Sequence, residues 1–166
     1  MNWFLMQAVT GGTYIDATMG NGHDTLFLCE LAGKEGQVLA FDIQKQALES
    51  TRALLKSEGM EQKARLILDS HENMAKYVDE ASVDGICFNF GYLPGSDHSL
   101  ATKPESSKNA VIEGLRLLKK GGVMSLCIYS GGETGFEERD TLLAYLKSLD
   151  EKKLSGDCEC LLQPQK

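Results

Sequence analysis

The chain has 166 residues, 42% of them hydrophobic, which is interior enough for one compact domain over 1–166 and too little for two. Its formal net charge of -7 argues against broad nonspecific binding to nucleic acid, which draws on Lys and Arg at phosphates, while leaving room for a local basic patch. No run of about 18 apolar residues occurs, so no transmembrane helix is expected.

Met1 to Val9 lacks a basic leading region and its apolar run is short, so it reads as the remnant of a first helix rather than a signal peptide. Thr13 to Ala17 reads as a short strand, followed by the glycine-rich turn Met19-Gly20-Asn21-Gly22 and a helix over Asp24 to Leu31. Gln37 to Asp42 is a second strand. Gln44 to Ser57 is a longer amphipathic helix, with Ala47, Leu48, Leu54 and Leu55 at helical spacing and Gly59 as its stop. Ala64 to Leu68 gives a third strand and His71 to Tyr77 a short helix. Val83 to Phe88 is apolar enough for a strand buried on both faces. A long loop, Asn89 to Pro104, follows it, and loops of that length inside compact domains usually serve function. Glu105 to Leu118 is a helix ending at Lys119-Lys120-Gly121-Gly122, Val123 to Tyr129 a fifth strand, Phe136 to Leu149 a helix, and Asp157 to Leu162 a possible sixth strand.

Strands alternating with helices predict a mostly parallel sheet covered by helices on both faces, a Rossmann-like α/β fold. Right-handed crossovers put the strand carboxyl ends on one edge, where ligands bind near the reversal of strand order. The five cysteines, Cys29, Cys87, Cys127, Cys158 and Cys160, are odd in number and match no zinc spacing. Cys158-Glu159-Cys160 could in principle hold a metal or a redox pair, but scattered reduced thiols in a cytoplasmic protein are the expectation, and no metal site is assigned.

Four segments carry candidate chemistry. In Asp16-Ala17-Thr18-Met19-Gly20-Asn21-Gly22-His23-Asp24-Thr25 the glycines permit a tight turn and close ligand approach. A nicotinamide dinucleotide would want a third glycine where Thr25 stands, and its pyrophosphate would meet Asp24 at the helix start. A sulfonium ligand with an amino-acid tail fits better, since its ammonium needs an acceptor; an ordinary strand-to-helix turn is the plainer reading. Asp42, twenty positions after Gly22, suits both hydroxyls of a ribose, with Gln44 just beyond; it would also cap the next helix. Ser70 and His71 after the third strand border an adenine pocket in this architecture, or Ser70 simply starts a helix with Asn73 three residues on. Asn89-Phe90-Gly91-Tyr92-Leu93-Pro94 resembles the Asn/Asp-Pro-Pro-Tyr/Phe signature of amino-group methyltransferases, with Phe90-Gly91 in place of the prolines. There the Asn oxygen accepts from the target nitrogen and the aromatic ring stacks on the substrate base; a polar turn closing a strand is the alternative.

These segments, with Phe41-Asp42-Ile43-Gln44, Ser70-His71-Glu72-Asn73, Gly91-Tyr92-Leu93-Pro94 and Ile128-Tyr129-Ser130-Gly131-Gly132, closely resemble a bacterial family of methyltransferases dependent on S-adenosylmethionine (SAM) and once labelled rRNA methylases. The resemblance runs from about Tyr14 to Leu154. It implies a class I methyltransferase fold, SAM as cofactor, and methylation of the 5-aminomethyl group of a wobble 2-thiouridine in tRNA. The implied cofactor contacts are Thr18, Gly20, Asn21, Gly22, Asp24, Thr25, Asp42, Gln44, Ser70 and His71, and the implied catalytic pair is Asn89 and Tyr92. Against the family pattern, the first strand arrives early and the C-terminal hairpin is shortened, so an exposed sheet edge is expected. Lys103, Lys108, Arg116, Lys119 and Lys120 form the densest basic stretch near the expected site and are the candidate contacts to RNA phosphate. His98 is a weak candidate for substrate contact. The sequence is compatible with a homodimer. The rival readings are an rRNA methyltransferase, a small-molecule methyltransferase of the same fold, and a SAM-binding module without catalysis.

Overall fold

The computed structural model describes residues 9–90, 103–128 and 135–149. Five strands, β1 (Thr13–Asp16), β2 (Gln37–Asp42), β3 (Ala64–Leu68), β4 (Val83–Phe90) and β5 (Leu118–Ile128), form one sheet in the order β3-β2-β1-β4-β5. Every pairing is parallel. Among the described residues, four α-helices, α1 (His23–Ala32), α2 (Lys45–Ser57), α3 (Pro104–Leu117) and α4 (Gly135–Ser148), and a 3-10 helix over His71–Lys76 accompany the strands. Strand order reverses between β1 and β4, and the carboxyl edge at that reversal is where open α/β sheets have their ligand crevice.

Side-chain alternation sorts the core into two layers. Ile15, Leu39, Phe41, Ile86, Phe88 and Phe90 face one side, packed with Met74 of the 3-10 helix, Val111 and Leu117 of α3 and Leu142 of α4. Tyr14 and Val38 face the other, with Leu28 and Cys29 of α1 and Leu55 of α2. Asp16 and Asn89 lie in phase with Tyr14 and Cys87, and therefore on the α1 face.

Most expected elements occur within a residue or two of their predicted bounds, and two strands differ more. β4 continues to Phe90 instead of stopping at Phe88, because Phe88 and Phe90 alternate into the core, both fully buried, with rings stacked at 5.0 Å. Asn89 is thus a strand residue paired with Cys127, not the first residue of a loop. β5 starts at Leu118, which pairs with Val83, before pairing resumes at Gly85 and Val123. The segment read as a helix stop is a bulge inside this strand, turned by Gly121 at φ +82°. The expected helix remnant at the N-terminus, the sixth strand over 157–162 and the shortened hairpin lie outside the described residues, as do Tyr92, His98, Cys158 and Cys160.

Candidate functional site

The turn after β1 extends the sheet before it leaves it. The Ala17 amide donates to the Cys87 carbonyl at 2.9 Å, and the Met19 amide to the Phe41 carbonyl at 2.9 Å, so the segment bridges β4 and β2 in turn. The Gly20 amide then donates to Asp42 Oδ2 at 3.1 Å, and the Gly22 amide closes the turn on the Met19 carbonyl at 2.8 Å. Gly22 has φ +87°, and a Cβ there would stand 2.9 Å from the Thr51 Cα. A side chain is excluded at Gly22 by backbone conformation and by the close approach of α2. Thr51 also anchors the turn from below, its hydroxyl donating to the Gly20 carbonyl at 3.1 Å. Asn21 stands exposed at the crest.

Asp42, at the end of β2, receives the Gly20 amide on one oxygen and the Gln44 amide on the other at 2.9 Å. Each carboxylate oxygen has two lone pairs, so acceptor capacity remains toward the crevice. Burial raises its pKa, opposed by hydrogen bonds from the Gln44, Gly20 and Ile43 amides. Gln44 is the N-cap residue of α2 without a side-chain capping bond.

Ser70 takes the helix-start role. Its hydroxyl oxygen accepts from the Glu72 amide at 3.3 Å and caps the 3-10 helix. Asn73 bonds Asp69 instead, at 2.7 Å. The His71 ring lies edge-on to Phe88 and Phe90, at centroid separations of 6.2 and 6.1 Å. Burial lowers its pKa, against the raising influence of Glu72, the Ala17 carbonyl and Asp42, so the ring is neutral at neutral pH. Its Nε2 is buried and has no hydrogen-bond partner among the described residues.

Asn89 is held twice. Its backbone amide donates to Thr18 Oγ1 at 2.7 Å, and its side-chain Nδ2 to Asp24 Oδ2 at 2.6 Å. Residues read from two separate segments, Thr18 and Asp24 from one and Asn89 from the other, are therefore one connected group at the strand-order reversal.

The structure revises two expectations. Thr25 is fully buried, with its hydroxyl donating to Asp16 Oδ2 at 2.6 Å; it braces the turn from inside the α1 face rather than lining the crevice. The basic stretch is divided. Lys103 and Lys108 lie at the start of α3 on the carboxyl side, whereas Arg116 and Lys119 lie at the opposite, amino edge of the sheet. There Arg116 pairs with Glu80 and Glu113, and Lys119 with Asp84 at 2.8 Å. Lys108 and Arg116 are separated by about 12 Å along the helix axis and Lys103 and Lys119 lie farther apart still, so the two groups do not form one patch beside the site.

Two participants escaped the sequence reading. Asp16 is wholly buried, accepts from the Thr18 amide at 3.2 Å and from Thr25, and has a pKa raised to about 7, first by burial. A carboxylate at the end of the apolar run Tyr14-Ile15 was the available signal. Thr51, mid-helix, gave none.

A family model described as "Putative rRNA methylase" matches residues 38–163. The chain belongs to that family. A crystal structure described as a "putative rRNA-methylase" from Clostridium thermocellum superimposes with a TM-score of 0.88 at 43% identity, covering 91% of this chain and 81% of that one. A "putative methyltransferase" from Streptococcus mutans, solved in complex with SAH, gives 0.79 at 39% identity, covering 90% and 80%. The chloroplastic tRNA (mnm(5)s(2)U34)-methyltransferase of Arabidopsis thaliana is 40% identical over 144 residues, 81% of this chain. The chain spans about half of that plant protein's length, 53%. The fold is accordingly the Rossmann-like class I methyltransferase fold. No helix among the described residues is long and apolar enough to cross a membrane.

Proposed function

We propose that the chain is a single SAM-dependent methyltransferase domain whose substrate is RNA, and that its acceptor is the 5-aminomethyl group of wobble 2-thiouridine in tRNA. The observation that carries the reading is the 2.7 Å bond from the Asn89 amide to the Thr18 hydroxyl, which ties the amine-type residue of β4 directly to the glycine turn of β1. The relatives support it: one is named for this tRNA nucleoside, and another is solved with SAH, the demethylated form of SAM.

The residues present fit the cofactor. The buried His71 Nε2 lacks a partner among the described residues that an adenine can provide, and both Asp42 oxygens keep acceptor capacity beyond the Gly20 and Gln44 amides. Asp42 accepts the ribose hydroxyls, Gly20 and Asn21 flank the amino-acid tail, and Gln44, Ser70 and His71 border the adenine. Thr25 supports this set through Asp16. When bound, the cofactor supplies an electrophilic methyl on a sulfonium whose thioether leaves without a proton.

The protein's task is then alignment and exclusion of water. The Asn89 side-chain oxygen accepts from the neutral amine and aims its lone pair, and Tyr92 stacks on the base. Burial raises the Cys87 thiol well above its ordinary range, which suits a packed side chain and not a nucleophile. The same reading places the activity in the bacterial cytoplasm, where tRNA is modified.

The test is nucleoside mass analysis of tRNA carrying unmethylated 5-aminomethyl-2-thiouridine, after incubation with SAM and the full chain. Conversion of that nucleoside to its N-methyl form is expected. Methyl label in rRNA alone, or in no RNA, overturns the assignment.

A further inference from the structure

We infer that Asp24 is a positioning residue for the methyl acceptor: one of its oxygens fixes the Asn89 amide with its carbonyl outward, and the other remains for the cofactor's ammonium. The inference rests on the reading of Asn89 given above.

The two ends of an Asn side chain are nearly equal in size, so packing alone does not choose between them. A carboxylate has only acceptors, so the end facing Asp24 must be the NH2. At 2.6 Å this is a short, charge-assisted bond between two half-buried residues. The Asn89 backbone has no freedom to compensate, since its amide is bound to Thr18 and its Cα is in register with Cys127. With Nδ2 committed to Asp24, the oxygen lies on the far side and stays an acceptor. Released from Asp24, the side chain also samples the flipped state, which offers an N–H to an incoming amine and leaves two donors opposed.

Asp24 Oδ2 is the atom that holds Asn89. The second oxygen has no protein hydrogen-bond partner among the described residues. It belongs to the first turn of α1, directly after the glycine turn that flanks the cofactor's tail in the proposed site. A single carboxylate thereby touches both halves of the reaction, and cofactor binding and acceptor alignment are coupled through it.

The test uses the full chain and two independent readouts. In 15N-labelled protein, the side-chain NH2 signals of Asn89 are assigned by their loss in Asn89→Ala. Asp24→Ala should move the hydrogen-bonded proton toward the position of a free amide, and unchanged signals overturn the inference. In steady state at saturating SAM, Asp24→Ala should lower kcat by about tenfold or more, because the lost bond aligns the acceptor. The exchange Asp24→Asn with Asn89→Asp restores a donor–acceptor pair of reversed polarity and keeps an acceptor toward the amine, so it should recover part of that loss. A raised KM for SAM with wild-type kcat overturns the inference and leaves the proposed function standing. Absence of RNA methylation by the unaltered chain overturns the function instead, and the amide signals then decide Asp24 alone.

Discussion

The Thr25 hydroxyl donates to the Asp16 carboxyl at 2.6 Å, and both residues are completely shielded from solvent. A carboxyl buried beside Asp24 and Asp42 holds its proton strongly, and its pKa rises from 3.8 to about 7. Because the folded value exceeds the unfolded one, the native state binds more protons between them, and stability falls as pH rises through that window. The contribution is complete below about pH 4 and gone above about pH 7, with a span on the order of 4 kcal/mol. Urea titrations at pH 5 and pH 8 should show the unaltered chain losing stability relative to Asp16→Asn, which has no proton to release. Parallel pH profiles for the two proteins would contradict the protonated state.

Asp42 serves two purposes, so its removal should be read with care. Asp42→Ala deletes the acceptor for Gly20 and Gln44 as well as the proposed ribose contact. Each charge-assisted bond to ribose is worth about 1.5–3 kcal/mol, so SAM affinity should fall at least about tenfold. The sheet should persist, because Phe41 and Ala40, both fully buried, continue to pack β2. Calorimetry showing unchanged SAM affinity in a folded variant would remove Asp42 from the cofactor site.

How much of this was legible in advance depends on the kind of signal involved. Strand and helix alternation predicted the parallel sheet, because buried parallel strands are written as short apolar runs, as in β2 and β4. The ends of strands were less visible. Asn89 looked like a loop residue because a polar side chain interrupts the run, yet Phe90 carries the two-residue period one step further into the core. The charge pattern misled for a geometric reason: Lys108 and Arg116 are close in sequence but lie toward opposite ends of one helix. Thr25 matched a motif position, while its actual partner, Asp16, is nine residues away and found only by folding the turn.

Asn89 and Cys87 share a strand face and separate two chemistries. Asn89→Ala should cut turnover strongly while SAM affinity stays within about a few-fold, since the lost acceptor acts near the transition state. Cys87→Ala should cost about 1–2 kcal/mol of stability and little turnover, because its high thiol pKa leaves almost no thiolate. Kinetics and melting on both variants check the pair. Loss of methyl transfer in folded Cys87→Ala, or full activity in Asn89→Ala, would end the amine-methylation reading.

The division of the basic residues yields a paired experiment on RNA docking. Lys103 and Lys108 have no salt-bridge partner among the described residues and lie where α3 begins, on the side of the strand carboxyl ends. Lys119 is held by Asp84 at the opposite edge and is already neutralised there. A lysine that meets a phosphate releases counterions, and its loss lowers the slope of log affinity against log salt by about 1. Lys108→Gln should therefore flatten the salt dependence of tRNA binding, and Lys103→Gln should do the same. Lys119→Gln should leave the slope unchanged and at most reduce stability, since it removes the cation beside Asp84 and leaves only the Thr13 amide on that carboxylate. Filter binding across a salt series distinguishes the two edges. A slope that responds to Lys119 and not to Lys108 would put the RNA on the amino edge, away from Asn89, and would be incompatible with the site described.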